Sequence, residues 1–185
     1  IITGDTKEIL EHSVKPLVAD FLAERGLTLS EEKTKITHIT DGFDFLGFNV
    51  RKFGDALLTQ PSKDRTKRML SKVKDEIKRF RGDAQHELIM RLNPILNGWA
   101  NYYKHSAASN VFRKTDYQIY KKLWRWALRR HGNKCKGWVK NRYFHRIDGR
   151  DWVFAVKKKN EKHEEYFIPI TILFNTKIES CLLYT

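Results

Sequence analysis

The chain has 185 residues, 41% of them hydrophobic, enough for one core of ordinary size or two small ones. Its 36 Lys and Arg against 22 Asp and Glu give a net charge of +14, which points to a polyanionic partner. Two isolated cysteines, Cys135 and Cys181, exclude a disulfide framework or a CxxC zinc site, and no apolar run approaches the ~18 residues of a membrane span. A reducing, cytoplasmic setting without membrane contact is expected.

The first stretch, Thr6 to Arg25, places Ile9, Val14, Leu17, Val18, Phe21 and Leu22 near helical spacing, with Gly26 at the C-cap position. Pro16 either kinks this helix or is tolerated by packing. Leu27–Leu29 reads as a short strand, Ser30–Glu32 as a turn, and Lys33–Ile39 as a second strand by alternation. Asp41-Gly42 is a hairpin-turn signal. The aromatic run Phe43–Val50 reads as a strand or strand pair, with Gly47 where another backbone comes close. The chain's opening, Ile1-Ile2-Thr3-Gly4, leads us to expect that the parent protein extends upstream.

From Pro61 the period changes. Ser62 is an N-cap candidate, and Met69, Leu70, Val73, Ile77 and Phe80 form one apolar stripe. At ~100° per residue that stripe is flanked by Arg65, Arg68, Lys72 and Arg79 on one side and by Lys63, Lys67, Lys74 and Lys78 on the other. Gly82 ends the helix. A second helical stretch carries Leu88, Ile89, Leu92, Ile95, Leu96 and Trp99, and Asn93-Pro94 is expected to break or kink it. A third, from about Val111 to Arg130, turns Phe112, Ile119, Tyr120, Leu123 and Ala127 to one side and Lys114, Lys121, Arg125 and Arg129 to the other. Three amphipathic helices on short links predict a bundle. His131–Asn141 reads as a basic loop, and Trp138, Tyr143 and Phe144 are interleaved with Lys134, Lys136, Lys140, Arg142 and Arg146. Trp152–Val156 and Phe167–Phe174 read as strands.

Charge is segregated along the chain. Residues 1–58 hold seven Lys and Arg against ten acids; residues 59–160 hold 27 against eight; residues 161–185 hold two against four. The basic signal therefore lies in the middle, and a domain boundary is expected near residues 54–61, with Gly54 and Pro61 as punctuation. The fold class that follows is α+β: a helix over a small antiparallel sheet in residues 1–58, a helical bundle in 59–150, and a further segment in 151–185. Acids are scattered rather than clustered as a two-metal polymerase or nuclease requires. Neither a Walker loop, a nucleophile elbow nor an HExxH motif occurs, and the seven histidines are dispersed. Taken alone these features describe a binder, with Asn101, Tyr103 and Lys104 of Gly98–Lys104 expected on the surface and Trp99, at core spacing with Leu96, expected to be packed.

Two groups of motifs resemble one family. Glu31–Ile39 followed by Phe43-Asp44-Phe45-Leu46-Gly47-Phe48 looks like the last palm motifs of a group II intron reverse transcriptase. Leu92-Asn93-Pro94, Gly98-Trp99-Ala100-Asn101-Tyr102-Tyr103, Trp138-Val139-Lys140 and Arg142-Tyr143-Phe144 resemble the maturase-specific thumb, domain X, of the same family. Together they cover about residues 1–156 in the family's order.

The resemblance implies a C-terminal palm portion followed by a thumb that binds intron RNA and template-primer duplex, supporting splicing and RNA-templated DNA synthesis. It implies that Lys33 matches the palm lysine near the incoming triphosphate, where a cation assists the leaving group. Phe45, Leu46, Gly47 and Phe48 match the primer grip. The family's Tyr-Ala-Asp-Asp motif, which needs Mg2+, is expected immediately upstream of Ile1; no catalytic residue beyond the accessory Lys33, no metal ligand and no cofactor is assigned to the chain itself. RNA contacts are expected from Lys63, Arg65, Arg68, Lys72, Arg79, Asn101, Tyr103, Lys104, Lys114, Lys121, Arg125, Arg129, Lys134, Lys136, Lys140 and Arg142. The implied partners are group II intron RNA, an RNA template with a DNA primer, and target DNA through a segment beginning at Trp152. Ile178–Thr185 matches no part of the family, and a stand-alone RNA-binding or scaffold module is the other class the sequence allows.

Overall fold

A computed structural model describes residues 1–161 and 163–175. The expectations on Cys181 and on Ile178–Thr185 lie outside the described residues. The chain divides into two compact units, residues 1–45 with 50–58, and residues 46–49 with Thr59 onward. The fold class is α+β, with two small three-stranded sheets among the described residues, in strand orders β1-β2-β3 and β4-β5-β6.

In the first unit the expected helix forms as α1 (Lys7–Ile9), a π-helical turn (Leu10–Val14) and α2 (Lys15–Ala23). Thr6 caps it, its hydroxyl accepting from the Ile9 amide at 3.3 Å. The π turn explains how Pro16 is tolerated. Its ring would collide with the carbonyl four residues back in a regular helix, and the Lys15 amide instead reaches the Leu10 carbonyl, widening the turn just before the proline. Gly26, at φ 68°, ends the helix in a Schellman motif: the Gly26 amide donates to the Ala23 carbonyl and the Leu27 amide to the Leu22 carbonyl, both at 3.0 Å.

Leu27–Leu29 and Lys33–Ile39 are not strands. The alternation in the latter sets lysines against Thr34, Ile36 and His38, so neither face carries enough apolar surface to be worth pairing. The sheet is built later, from β1 (Phe43–Phe45), β2 (Phe48–Phe53) and β3 (Ala56–Pro61), the last of which falls where the domain boundary was expected. Asp41-Gly42 does turn, both amides meeting the His38 carbonyl, but the two-residue loop that joins β1 to β2 is Leu46-Gly47. Both loop residues have positive φ, 48° and 86°, as a type I′ turn requires. No residue from Ile1 to Gln60 is buried.

The second unit holds the core. Ser62 caps α3 (Lys63–Arg79) by accepting from the Arg65 amide. The apolar stripe of α3 is buried through Met69, Val73 and Ile77, against Leu88, Ile89, Leu92, Leu96 and Ala100 of α4 (Gln85–Tyr103) and Phe112, Ile119, Leu123, Trp126 and Ala127 of α5 (Ser109–Arg130). Burial of each large aliphatic or aromatic side chain contributes roughly 1.5–3 kcal/mol. Pro94 neither breaks nor ends α4. The proline is on the exposed side, and the buried residues on either side of it hold the helix against a local cost of ~3 kcal/mol.

Half of the expected basic loop is helical: α6 runs Lys136–Tyr143 and buries Val139 and Tyr143. It leads into β4 (Phe144–Ile147), β5 (Arg150–Lys159) and β6 (Glu165–Pro169), where the stretch expected as Phe167–Phe174 ends early and gives way to a 3-10 turn at Leu173–Asn175. The described residues of the 151–175 stretch do not stand apart from the helices, since Phe154, Ile170 and Leu173 join the same core. Polar side chains fasten this sheet. The Gln85 amide donates to the carbonyls of Tyr143 and Ala155, both at 3.1 Å. Asn93 donates to the Pro169 carbonyl at 3.0 Å and accepts from the Thr171 amide at 2.8 Å. Asp116 accepts from the amides of Leu173 and Phe174, both at 2.9 Å.

Candidate nucleic-acid interface

The helical projection of α3 places cations on both sides of its buried stripe, and each side opens onto a groove. On one side Arg65, Arg68 and Lys72 face Gly98, Trp99 and Tyr102 of α4 and the hairpin tip Leu46, around a space of about 630 Å³. Arg68 is paired with Asp64 at 2.8 Å, both side chains largely exposed, so the pair adds little stability and yields readily to a stronger anion. Two phenols hold the tip. The Tyr102 hydroxyl donates to the Leu46 carbonyl at 2.8 Å and the Tyr103 hydroxyl to the Gly47 carbonyl at 3.0 Å. Phe48 stacks on Tyr102 with ring centroids 5.3 Å apart and meets Tyr103 edge-on at 4.9 Å.

This corrects one expected contact. Tyr103 is only 3% exposed, and Tyr102, at 54%, is the ring that faces solvent. Burial, then the neighbouring Tyr102, raises the Tyr103 phenol above 10.0, with Arg65 pulling the other way, so it stays a neutral donor. Trp99 is half-buried and packed, its ring 5.0 Å from Tyr103 and 5.2 Å from Phe112. Its Nε1 is buried without a hydrogen-bond partner. Asn101 is exposed and Lys104, half-buried, forms the C-cap of α4.

On the other side of α3, Lys74, Lys78 and Arg81 face Lys122, Arg125, Arg129 and Arg130 of α5 across a trough of about 640 Å³ floored by Ile77 and Trp126. All its charged lining residues are cations. Arg130 is partly committed: its guanidinium donates to the carbonyls of Arg81 at 2.9 Å and Asp83 at 2.6 Å and lies 4.6 Å over the Trp126 ring. Of the expected contacts only Arg125 and Arg129 lie here. Lys74 and Lys78 were visible as the second flank of α3, whereas Arg81, Lys122 and Arg130 join them only through the packing of α3 on α5.

The remaining expected cations are dispersed. Lys63 is exposed at the start of α3, and Arg79 pairs with Glu76 at 3.3 Å. Lys114 is exposed on α5, and Lys121 has its Nζ 4.4 Å over the Tyr117 ring. Around α6, Lys134 lies 5.7 Å over Trp138 and Lys140 lies 4.9 Å over Trp152, while Lys136 and Arg142 are exposed. In the first unit Lys33 is exposed and lines a cavity of about 700 Å³ together with Lys15, Lys35, Phe43 and Phe45. Among the described residues no group of three or more His, Cys, Asp or Glu comes together. No helix among them is long and apolar enough to cross a membrane.

Residues 66–144 match the family model described as group II intron, maturase-specific domain. The matched region begins in the first turn of α3 and ends at Phe144, so both basic grooves of α3 lie almost wholly within it. This similarity supports a group II intron maturase C-terminal region and a maturase-related role in splicing. It implies intron RNA as a partner. No curated protein matches the chain. Residues 1–58 lie outside the matched region.

Proposed function

We propose that the chain binds group II intron RNA through the basic trough between α3 and α5, supporting splicing, and that Phe45–Phe48 forms the primer grip of a reverse transcriptase whose thumb grips the template-primer duplex beside Arg65, Arg68 and Lys72. The observation that carries RNA binding is the trough, where seven Lys and Arg side chains line one groove without a carboxylate among them. Such a groove concentrates positive potential and releases counterions from a phosphate backbone when it binds. Held between α3 and α5, the cations have a fixed spacing, which suits a folded RNA better than a flexible tail would.

The test is filter binding of intron RNA and of an unrelated RNA of equal length across a salt series. Intron RNA should bind more tightly at ~150 mM salt, where nonspecific association weakens. Replacing Lys74, Lys78, Arg125 and Arg129 by Gln should lower the magnitude of the log–log salt slope by about 3. An unchanged slope would remove the trough from the interface. Equal affinity for the two RNAs would remove the intron as its specific partner.

A further inference from the structure

The hairpin β4–β5 contains a bulge. Phe144 pairs with Phe154 and His145 with Val153, then Ile147 with Arg150, so Arg146 faces two residues of β5, Asp151 and Trp152. Trp152 has φ 62°, a left-handed conformation that a bulky side chain rarely holds. The bulge sends its indole to the mouth of a pocket of about 300 Å³, where it remains 40% exposed. Tyr117, Tyr120, Leu123, Phe144 and Ile170 line this pocket. The Trp152 ring is set edge-on to Trp124 at 5.6 Å and to Tyr120 at 6.3 Å.

Cations frame the same mouth. Lys140 places its Nζ 4.9 Å from the Trp152 ring centre, and Arg150 lines the pocket. Of the two carboxylates in the lining, Asp116 accepts backbone amides with both oxygens at 2.9 Å and has Arg150 as a charge neighbour, while Asp151 faces Arg146 at 3.8 Å in an exposed pair. An apolar slot with aromatic walls, a strained Trp at its opening and cations beside it fits a flat, uncharged ring attached to a phosphate.

We propose that this pocket receives an unpaired nucleobase of RNA, stacked on Trp152, with an adjoining phosphate met by Lys140 and Arg150. The site rests on the chain being an RNA binder and adds to the trough a way of recognising single-stranded positions, which the trough's cations alone do not distinguish from duplex. A Gly or Asn would hold the left-handed bulge at less strain. A Trp there supplies a stacking face that neither could.

The test compares an oligouridylate of about 12 nucleotides, whose bases are free to stack on protein, with a fully paired RNA duplex. Trp152→Gly is at ease at positive φ and should keep the fold, checked by circular dichroism, while losing affinity for oligouridylate about 10-fold and binding the duplex as before. Trp152→Phe should retain most of the affinity. Trp152→Leu fills the pocket mouth without a π face and repeats the measurement in a packed background, with the same selective loss expected. An equal loss on both ligands, or none on oligouridylate, overturns the pocket and leaves RNA binding standing. Failure of the unaltered chain to bind either RNA overturns both.

Discussion

Trp99 and Tyr103 are neighbours with different duties. Trp99 fills the space between α4 and α5 and leaves its indole N–H without a partner, an uncompensated polar burial of the kind few side chains in a folded protein carry. Its ring therefore matters and its nitrogen does not. Trp99→Ala should cost about 3 kcal/mol, the low end for aromatic truncation because the side chain is half-buried, while Trp99→Phe should cost about 1 kcal/mol, since it also removes the unsatisfied donor. Urea unfolding of the two variants measures the difference; equal losses would mean that the N–H has a partner in solution. For Tyr103 the polarity is reversed, because its hydroxyl is the part that reaches the hairpin tip.

The hairpin Phe43–Phe53 is the element on which local backbone geometry weighs most. Gly47 sits at φ 86°, and a methyl group there would meet the Tyr103 hydroxyl at 3.0 Å and the Arg65 Cγ at 3.2 Å. Gly47→Ala should thus destabilise the docked tip by at least about 1 kcal/mol, through strain and crowding together. Faster amide exchange of Ser62, whose N–H donates to the Gly47 carbonyl at 2.9 Å, would report it, and unchanged exchange would refute it. Local signals of this kind were legible in the sequence: the Gly47 close approach, the Ser62 cap, the Gly26 terminator and the two basic flanks of α3 all follow from spacing. What escaped depends on distant partners. Pro94 stays inside α4 because the residues around it are packed, and Asn93 is tied to Pro169 and Thr171, far along the chain. Tyr103 is buried by a hairpin more than fifty residues away. The alternation of Lys33–Ile39 misled because period alone does not supply a face to bury.

At the scale of the molecule, stability should depend on pH through the sheet β4–β5–β6. His145 lies 4.8 Å from the Phe167 ring, and burial, then Lys157 and Arg142, lowers its pKa below 6.5. As pH falls through 6.5 the unfolded chain takes up this proton before the folded one does, so folding loses stability below that point and keeps it above. The melting temperature should drop between about pH 7.5 and about pH 5, and His145→Gln should shrink the drop; an identical drop in the variant would clear His145 of responsibility.

Arg130 has a consequence for binding as a process. By gripping the carbonyls of Arg81 and Asp83 while stacking on Trp126, it ties the end of α5 to the link after α3. The two walls of the trough are braced before any polyanion arrives. Little conformational freedom remains to be lost when the walls are occupied, so affinity there is preorganised rather than induced. On the proposed RNA-binding reading, a ligand whose phosphates do not match the spacing already set would be turned away by geometry, and selectivity would come from that spacing and not from charge alone.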